Sequence, residues 1–280
     1  FSAVDLSEKE KTRMFEFKYA KKGYAVISTS SANRKSDDVP MLIPEINHEH
    51  LDIIKVQQKN HHLPNSGFVV VKPNCSIQSY IFVLDALIKA NYPINKIQVT
   101  TLQALSGAGY KALSNNQFKN NVIPFISGEE EKTEIEPTKI FGSIKDNRII
   151  NNVNLNISAT CTRVPIVDGH TAIVNISFSN KKPSIQDFKE IIKSYISLPQ
   201  ILKLPSAPIQ PIHILDEMDR PQPKLDLNND KGMALSIGRI QKDLFFDIRF
   251  IGLSHNTLRG AAGGAILNAE LLVKKKYIYY

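Results

Sequence analysis

Residues 67–72 read Gly-Phe-Val-Val-Val-Lys, an apolar run without polar alternation that stops at Pro73. A strand of this kind is buried on both faces, as in parallel sheets. Parallel neighbours need a crossover connection, which is usually a helix. The flanking sequence supplies both elements, because residues 7–22 and 77–88 carry apolar residues at helical spacing and residues 24–28 predict another short strand. This part of the chain therefore predicts a doubly wound α/β domain.

Farther along, long strands with alternating apolar residues take over. We expect a helix over 48–58, strands over 97–105, 154–161 and 171–178, a helix capped by Ser184 and Asp187, a proline-rich surface excursion over 198–223, a hairpin over 233–253 and a last helix over 256–274. The order of these elements predicts a nucleotide domain that is split around an inserted α+β domain.

Composition argues against several classes of protein. The longest apolar segments are broken before they reach the roughly 18 residues of a membrane span, so no membrane partner is expected. Cys75 and Cys161 are too few for a disulfide framework or a structural zinc site, which predicts a reduced, cytoplasmic protein without a metal. The net charge of +8 arises from scattered residues, which favours small anionic substrates over nucleic acid.

Cys75 lies where the buried strand 67–72 turns into the next helix. The N-terminus of a helix carries partial positive charge and free N–H groups, which lower the pKa of a thiol. Position alone leaves two interpretations open, a nucleophile or a small residue that packs in the core.

Several motifs in series resemble those of the aspartate-semialdehyde dehydrogenase family, in its archaeal and fungal branch. They are residues 74–76 (Asn-Cys-Ser), 103–109 (Gln-Ala-Leu-Ser-Gly-Ala-Gly), 128–132 (Gly-Glu-Glu-Glu-Lys), 161–165 (Cys-Thr-Arg-Val-Pro), 168–170 (Asp-Gly-His), 254–257 (Ser-His-Asn-Thr) and 259–263 (Arg-Gly-Ala-Ala-Gly). The resemblance implies a fold like that of glyceraldehyde-3-phosphate dehydrogenase. Residues 1–75 and 255–280 would form an incomplete Rossmann-type NADP-binding domain, and residues 76–254 an inserted α+β catalytic and dimerisation domain.

The family's glycine-rich phosphate-binding unit does not precede Phe1, and the sequence has no initiator Met. We therefore expect this chain to be part of a longer protein. That leaves open whether the chain by itself is active and whether it prefers NADP or NAD.

The resemblance implies NADPH-dependent conversion of 4-phospho-L-aspartate to L-aspartate 4-semialdehyde, with phosphate as the co-substrate of the reverse direction. Cys75 would be the nucleophile, and Gln103 would orient the thiol and the acyl group. His170 would be the acid/base, on the expectation that its pKa lies near neutrality.

Substrate and cofactor residues follow from the same motifs. Arg163 would bind the substrate carboxylate, Glu129 the ammonium group and Lys132 the phosphate, with Arg34 and Asn74 as further phosphate contacts. Which of the three consecutive glutamates contacts the substrate stays open, and a solvated charge run is the alternative. Near the nicotinamide and its ribose the resemblance places Ser30, Ser31, Ser106, Gly107 and Asn256, although Asn256 is also a plausible helix N-cap.

Two other functions remain possible at this point. One is a sister reductase that acts on malonyl-CoA or on N-acetyl-glutamyl phosphate, although Arg163 and residues 129–132 better suit an amino-acid phosphate. The other is a truncated relative without catalysis. A small-molecule substrate and a homodimer or homotetramer are the family expectation.

Overall fold

The computed structural model describes residues 1–4, 6 and 8–279, and of residues 110 and 111 only the backbone. In this part of the chain the helices are α1 (Lys9–Ala20), α2 (Ile54–Asn60), α3 (Ile81–Lys89), α4 (Tyr110–Leu113), α5 (Glu129–Ile140), α6 (Ile185–Lys193), α7 (Leu198–Ile201), α8 (Pro223–Asp226) and α9 (Gly263–Lys274). The strands are β1 (Ala25–Ser28), β2 (Phe68–Val71), β3 (Ile94–Gln103), β4 (Ser143–Lys145), β5 (Arg148–Ile150), β6 (Asn156–Arg163), β7 (His170–Phe178), β8 (Ile212–Ile214), β9 (Leu235–Lys242) and β10 (Ile248–Ser254).

Strands β1 and β2 pair in parallel, as the apolar run predicted. All four residues of β2 are buried, and they alternate between two core clusters. Val69 and Val71 belong to the cluster that contains Phe17 of α1, whereas Phe68 and Val70 belong to the cluster of the apolar residues of α9. Helices therefore cover both faces of this pair, which confirms the α/β prediction.

A larger mixed sheet forms the second layer, with the order β6-β3-β7-β10-β9-β8 among the described residues. The long strands and the hairpin agree with the sequence prediction to within a few residues. Helix α6 covers this sheet, where the ring of Phe188 packs 6.0 Å from that of Phe250, centroid to centroid. The predicted capping box holds its first turn: the Ser184 hydroxyl accepts from the Asp187 N–H, and the Asp187 carboxylate accepts from the Ser184 N–H.

Helix α3 joins the two layers. Its apolar residues belong to one core cluster that reaches from Phe17 of α1 to Phe250 of β10. The chain enters α3 from β2 through residues 72–75 and the 3₁₀ turn Ser76–Ser79. Cys75 thus lies at the junction between the layers.

Helix α5 and the hairpin of β4 and β5 are among the elements that the sequence did not predict. Helix α5 begins at Glu129, in the segment for which a solvated charge run was the alternative. Polar residues make up most of its buried face, including Thr133, Glu136 and Lys139. The apolar periodicity that identifies a buried helix is therefore missing from its sequence.

Three predicted elements differ in detail. The excursion over 198–223 is not all surface, because it contains α7 and because β8 extends the large sheet beside β9. The helix expected over 256–274 begins later, as a π-helical turn, Leu258–Ala262, that continues into α9. The helix expected over 7–22 is α1, while Ser7 itself lies outside the described residues.

A close backbone contact fixes the turn after Cys75 on the large sheet. A Cβ added at Gly252 of β10 would overlap the carbonyl oxygen of Ser79. We expect Gly252→Ala to lower the free energy of unfolding by about 1–3 kcal/mol, since backbone atoms would have to shift. Denaturant titration checks this, with Lys242→Ala at the exposed end of β9 as a control that stays within about 0.5 kcal/mol. If Gly252→Ala left the free energy of unfolding unchanged, this backbone contact would not be tight.

Candidate active site

Three of the predicted residues lie along one edge of the large sheet. Gln103 ends β3 and pairs in register with Arg163, which ends β6. His170 begins β7 on the other side of β3, and pairs with Ser254 of β10. Although Arg163 and His170 are close in the sequence, their strands are not neighbours: β3 lies between them, so Gln103 stands in the middle of the row.

Cys75 approaches this row from the layer junction. Its Sγ lies 3.3 Å from Nε2 of His170. On the other side it packs on Gly260, where an added Cβ would come within 2.6 Å of the Cys75 Cβ. The thiol is thus held between β7 and the π-helical turn before α9.

Burial raises the pKa of the Cys75 thiol, and the Glu129 carboxylate adds to this effect, while Arg34 and Lys72 oppose it. The expectation that a helix N-terminus lowers this pKa is wrong for this arrangement. The element that follows Cys75 is a four-residue 3₁₀ turn rather than a long helix, and burial has the largest effect on the pKa of the thiol.

His170 is completely buried, and its Nδ1 accepts a hydrogen bond from the Ala104 N–H at 3.0 Å. A neutral imidazole with an acceptor at Nδ1 carries its proton on Nε2, the atom that faces Cys75. Burial, followed by the charge of Arg163, lowers the pKa of His170 to about 3. The expectation of titration near neutrality is therefore wrong, and the ring is a neutral hydrogen-bond donor toward the sulfur.

Arg163 is held beside this imidazole. Its Nη1 donates to the carbonyl oxygen of Ala104 at 2.8 Å, and the residue is 6 % exposed. Gly107 covers both side chains, since an added Cβ there would lie 2.9 Å from Cε1 of His170 and 3.0 Å from Nη1 of Arg163. A side chain at position 107 would displace one of them.

Glu129, the first residue of α5, connects three of the other predicted residues. Its carboxylate accepts hydrogen bonds from Lys132 at 2.7 Å, Asn74 at 2.8 Å and Gln103 at 3.1 Å. Burial by itself would raise the pKa of Glu129, but these bonds outweigh it, so the pKa lies below its ordinary value.

The structure distinguishes the three consecutive glutamates. Glu130 accepts from the backbone N–H of Cys161, and Glu131 pairs with Lys35 at the surface. Glu129 is the one whose carboxylate lies among the site residues. Cys161 is buried against Thr133, which makes it a packing residue.

Arg34 lies on the loop after β1 and forms a second polar cluster. Its guanidinium pairs with Glu136 at 2.9 Å and donates to the Thr29 carbonyl oxygen. Glu136 also accepts from the backbone N–H of Asn74 at 2.5 Å. A cavity of about 450 Å³ opens here, and Ser31, Arg34 and Lys132 are among its lining residues.

The remaining predicted cofactor residues occupy two places. Asn256 donates to Ser106 Oγ at 2.7 Å and accepts from the Gly169 N–H at 2.8 Å, so it is not a helix N-cap. Ser30 and Ser31 follow the carboxyl end of β1. The Lys72 N–H donates to the Ser28 carbonyl oxygen at 2.7 Å, which sets the loops after β1 and β2 side by side.

Sequence reasoning missed two site neighbours. Glu136 links Arg34 to Asn74, but it lies inside a helix that the pattern did not reveal. Lys72 ends the buried strand and is 3 % exposed, although a lysine after an apolar run usually marks the return to solvent. Its position three residues before Cys75 was the signal available in the sequence.

Among the described residues, no three His, Cys, Asp or Glu side chains lie close enough together to hold a metal ion. Within the same residues, no helix combines the length and the apolar character needed to span a membrane.

The arrangement around His170 makes a spectroscopic prediction. In ¹⁵N NMR, His170 should carry its proton on Nε2 and should not titrate between about pH 5 and 8, because burial and Arg163 keep its pKa near 3. The signal that disappears in His170→Asn assigns the resonance. A proton on Nδ1, or a midpoint near neutrality, would contradict the hydrogen bond from Ala104.

Comparison with known proteins agrees with this geometry. The family model described as "Semialdehyde dehydrogenase, dimerisation domain" matches residues 84–259, and "Semialdehyde dehydrogenase, NAD binding domain" matches residues 3–54. Aspartate-semialdehyde dehydrogenase of Schizosaccharomyces pombe is 43% identical over 89% of this chain and 71% of its own length. That of Archaeoglobus fulgidus is 42% identical over 95% of this chain and 75% of its own length.

Solved structures show the same relationship. A crystal structure of aspartate semialdehyde dehydrogenase with NADP from Candida albicans has a TM-score of 0.86 and 36% identity, and the match covers 97% of this chain and 76% of that one. An aspartate semialdehyde dehydrogenase II from Vibrio cholerae, at 24% identity and a TM-score of 0.76, shares the fold. The order of the motifs, the geometry at the sheet edge and these matches lead to one conclusion: the chain belongs to the aspartate-semialdehyde dehydrogenase family.

Proposed function

We propose that this chain provides the catalytic site for the reduction of 4-phospho-L-aspartate to L-aspartate 4-semialdehyde and phosphate with NADPH, in the biosynthesis of lysine, threonine, methionine and isoleucine. The observation that carries the proposal is the 3.3 Å contact of the Cys75 sulfur with His170, at a sheet edge that also holds Gln103 and Arg163. Family membership supplies the reaction, and this cluster supplies the groups that it needs.

Cys75 is the nucleophile. Its thiolate attacks the acyl carbon of the substrate, the carbon–oxygen bond to phosphate breaks, and a thioester forms on the sulfur. The Nε2–H of His170 donates a hydrogen bond toward the reacting atoms, while the Ala104 N–H holds the other ring nitrogen as an acceptor. In this role His170 is a neutral donor that stabilises developing negative charge.

Charge around the sulfur suits an anionic amino-acid phosphate. Arg163 is already oriented by the Ala104 carbonyl oxygen through Nη1, which leaves the rest of its planar guanidinium for the substrate carboxylate. Lys132 and Arg34 line one cavity and bind the phosphate. Glu129 binds the substrate ammonium. The ammonium then replaces Lys132 as the hydrogen-bond donor to this carboxylate.

The residues present fit a nicotinamide cofactor. The carboxyl ends of parallel strands β1 and β2 adjoin, which is where open α/β sheets bind nucleotides. Ser30 and Ser31 stand there, and the backbone of Gly107 runs beside His170. Together with Ser106 and Asn256 these residues would hold the nicotinamide end of NADPH, which supplies the hydride when bound.

The domain division follows from this assignment. Residues 1–75 and 255–280 would contribute to cofactor binding, and residues 76–254 to catalysis and dimerisation. The match of residues 84–259 to a dimerisation-domain model indicates that the chain assembles, and we assign it a homodimer or homotetramer. Two free cysteines, one of them the nucleophile, suit the reducing cytoplasm.

Replacing the nucleophile tests the function. Cys75→Ser should lose phosphate-dependent NADP⁺ reduction with aspartate semialdehyde by several orders of magnitude, because an alkoxide forms far less readily than a thiolate. Cys161→Ala is the matched control, and it should keep turnover with a lower melting temperature. Malonyl-CoA and N-acetyl-glutamyl phosphate, supplied with NADPH, test the sister activities. Turnover by Cys75→Ser, or a preference for either of these substrates, would contradict the proposal.

Arg163→Lys tests carboxylate recognition. The lysine keeps the charge but loses the planar fork, so kcat/KM should fall roughly 30-fold or more. This corresponds to a loss of about 2 kcal/mol of transition-state stabilisation. Steady-state kinetics measure this loss, and Arg249→Lys on an exposed part of β10 serves as the control. A variant that melts at a lower temperature but keeps its kcat/KM would make Arg163 a structural residue.

A further inference from the structure

Lys72 is a buried cation for which the mechanism above has no role. It directly follows β2, is 3 % exposed, and lies three residues before Cys75. Among the described residues its Nζ has no hydrogen-bond partner and no paired carboxylate. The other buried lysine, Lys139, differs sharply, since its Nζ donates to three backbone carbonyl oxygens. Burying an amine without partners is costly, so its position requires a reason.

The charged groups around Lys72 do not supply that partner. They are Arg259 on the π-helical turn, Arg34 on the loop after β1, Glu45 before α2, and Cys75. Glu45 is held by both Nη atoms of Arg259, at 2.8 and 2.7 Å. Arg34 has its own carboxylate in Glu136. Cys75 is the one group in this set that can become an anion and is not already paired with a guanidinium.

Two glycines show that Lys72 and Cys75 lie against the same stretch of helix. A Cβ added at Gly264 would overlap Cε of Lys72, with Nζ at 3.1 Å. A Cβ added at Gly260 would meet Cβ of Cys75 at 2.6 Å. The two glycines are four residues apart, about 6 Å along a helix axis. The small residues before and within α9 therefore leave room for both side chains on neighbouring turns of the helix.

The hydrogen bonding of His170 leaves the thiol without a base. Its Nε2 already carries the ring proton, and its Nδ1 faces the Ala104 N–H. The ring can accept the thiol proton only by giving up that hydrogen bond. A second group is needed to compensate the charge of the thiolate.

We propose that Lys72 is this group, a positioning residue whose ammonium form stabilises the Cys75 thiolate. The Cys75 thiol, which is only partly buried, loses its proton to solvent, and the ammonium charge of Lys72 offsets the negative charge left on the sulfur. This inference rests on the proposed role of Cys75. Burial penalises each charge alone, whereas the two charges together attract each other.

Electrostatics agree with the pairing. Burial, then Arg259, lowers the pKa of Lys72 to about 7, while Cys75 acts in the opposite direction. Reciprocally, Lys72 is one of the groups that lower the pKa of the thiol.

The rate of Cys75 alkylation by iodoacetamide against pH tests the proposal. In Lys72→Met and Lys72→Gln the apparent pKa of the thiol should rise by at least about one unit, so alkylation near pH 7 should slow about tenfold. Lys145→Gln, on the exposed strand β4, should leave the profile unchanged. A purely structural lysine would change the melting temperature without moving this profile, and that result would overturn the proposal.

A reciprocal measurement does not require a Lys72 variant to fold. By NMR of labelled lysine side chains, the pKa of Lys72 should fall when Cys75→Ser removes the sulfur anion, because coupling between two sites is mutual. An unchanged pKa of Lys72 would refute the pairing. Both readouts are independent of turnover, so a Cys75→Ser variant that remained active would count against the proposed function and not against the measured coupling.

Discussion

The backbone of one residue, Ala104, holds two side chains of the site at once. Its N–H donates to Nδ1 of His170, and its carbonyl oxygen accepts from Nη1 of Arg163. Ala104 follows β3, which is hydrogen-bonded to β6 on one side and β7 on the other. The position of its peptide groups is therefore set by the register of the sheet. This contact orients the guanidinium and decides which nitrogen of the imidazole carries the proton.

Helix α5 contributes two carboxylates that form hydrogen bonds with the other residues of the site. Glu129 accepts hydrogen bonds from the loop that carries Asn74 and from Gln103 on the sheet edge. Two turns farther along the helix, Glu136 accepts hydrogen bonds from Arg34 and from the backbone N–H of Asn74. The helix thus joins the two layers through charged hydrogen bonds, which are strong where they are shielded from water.

Apolar periodicity predicted most of the elements that build the layers, because Val69, Val71, Val174 and Phe250 belong to cores that periodicity detects. It failed at α5, whose buried Thr133 and Glu136 interact through hydrogen bonds and not by apolar packing. The motifs identified Cys75, Gln103, Arg163 and His170 as candidate site residues. The motifs could not predict the order of the strands in the sheet, since β3, from an earlier part of the chain, lies between β6 and β7.

The sequence by itself determined the family, the alternation of helix and strand around residues 67–72, and the set of chemical groups available at the site. Tertiary structure decided how those groups behave. The pKa of Cys75 is raised and that of His170 is lowered because both are buried, and burial depends on partners distant in the chain. His170 lies 66 residues from the peptide that fixes its tautomer. The pKa values of Cys75 and His170 depend on their surroundings, and these surroundings form only when the layers pack together.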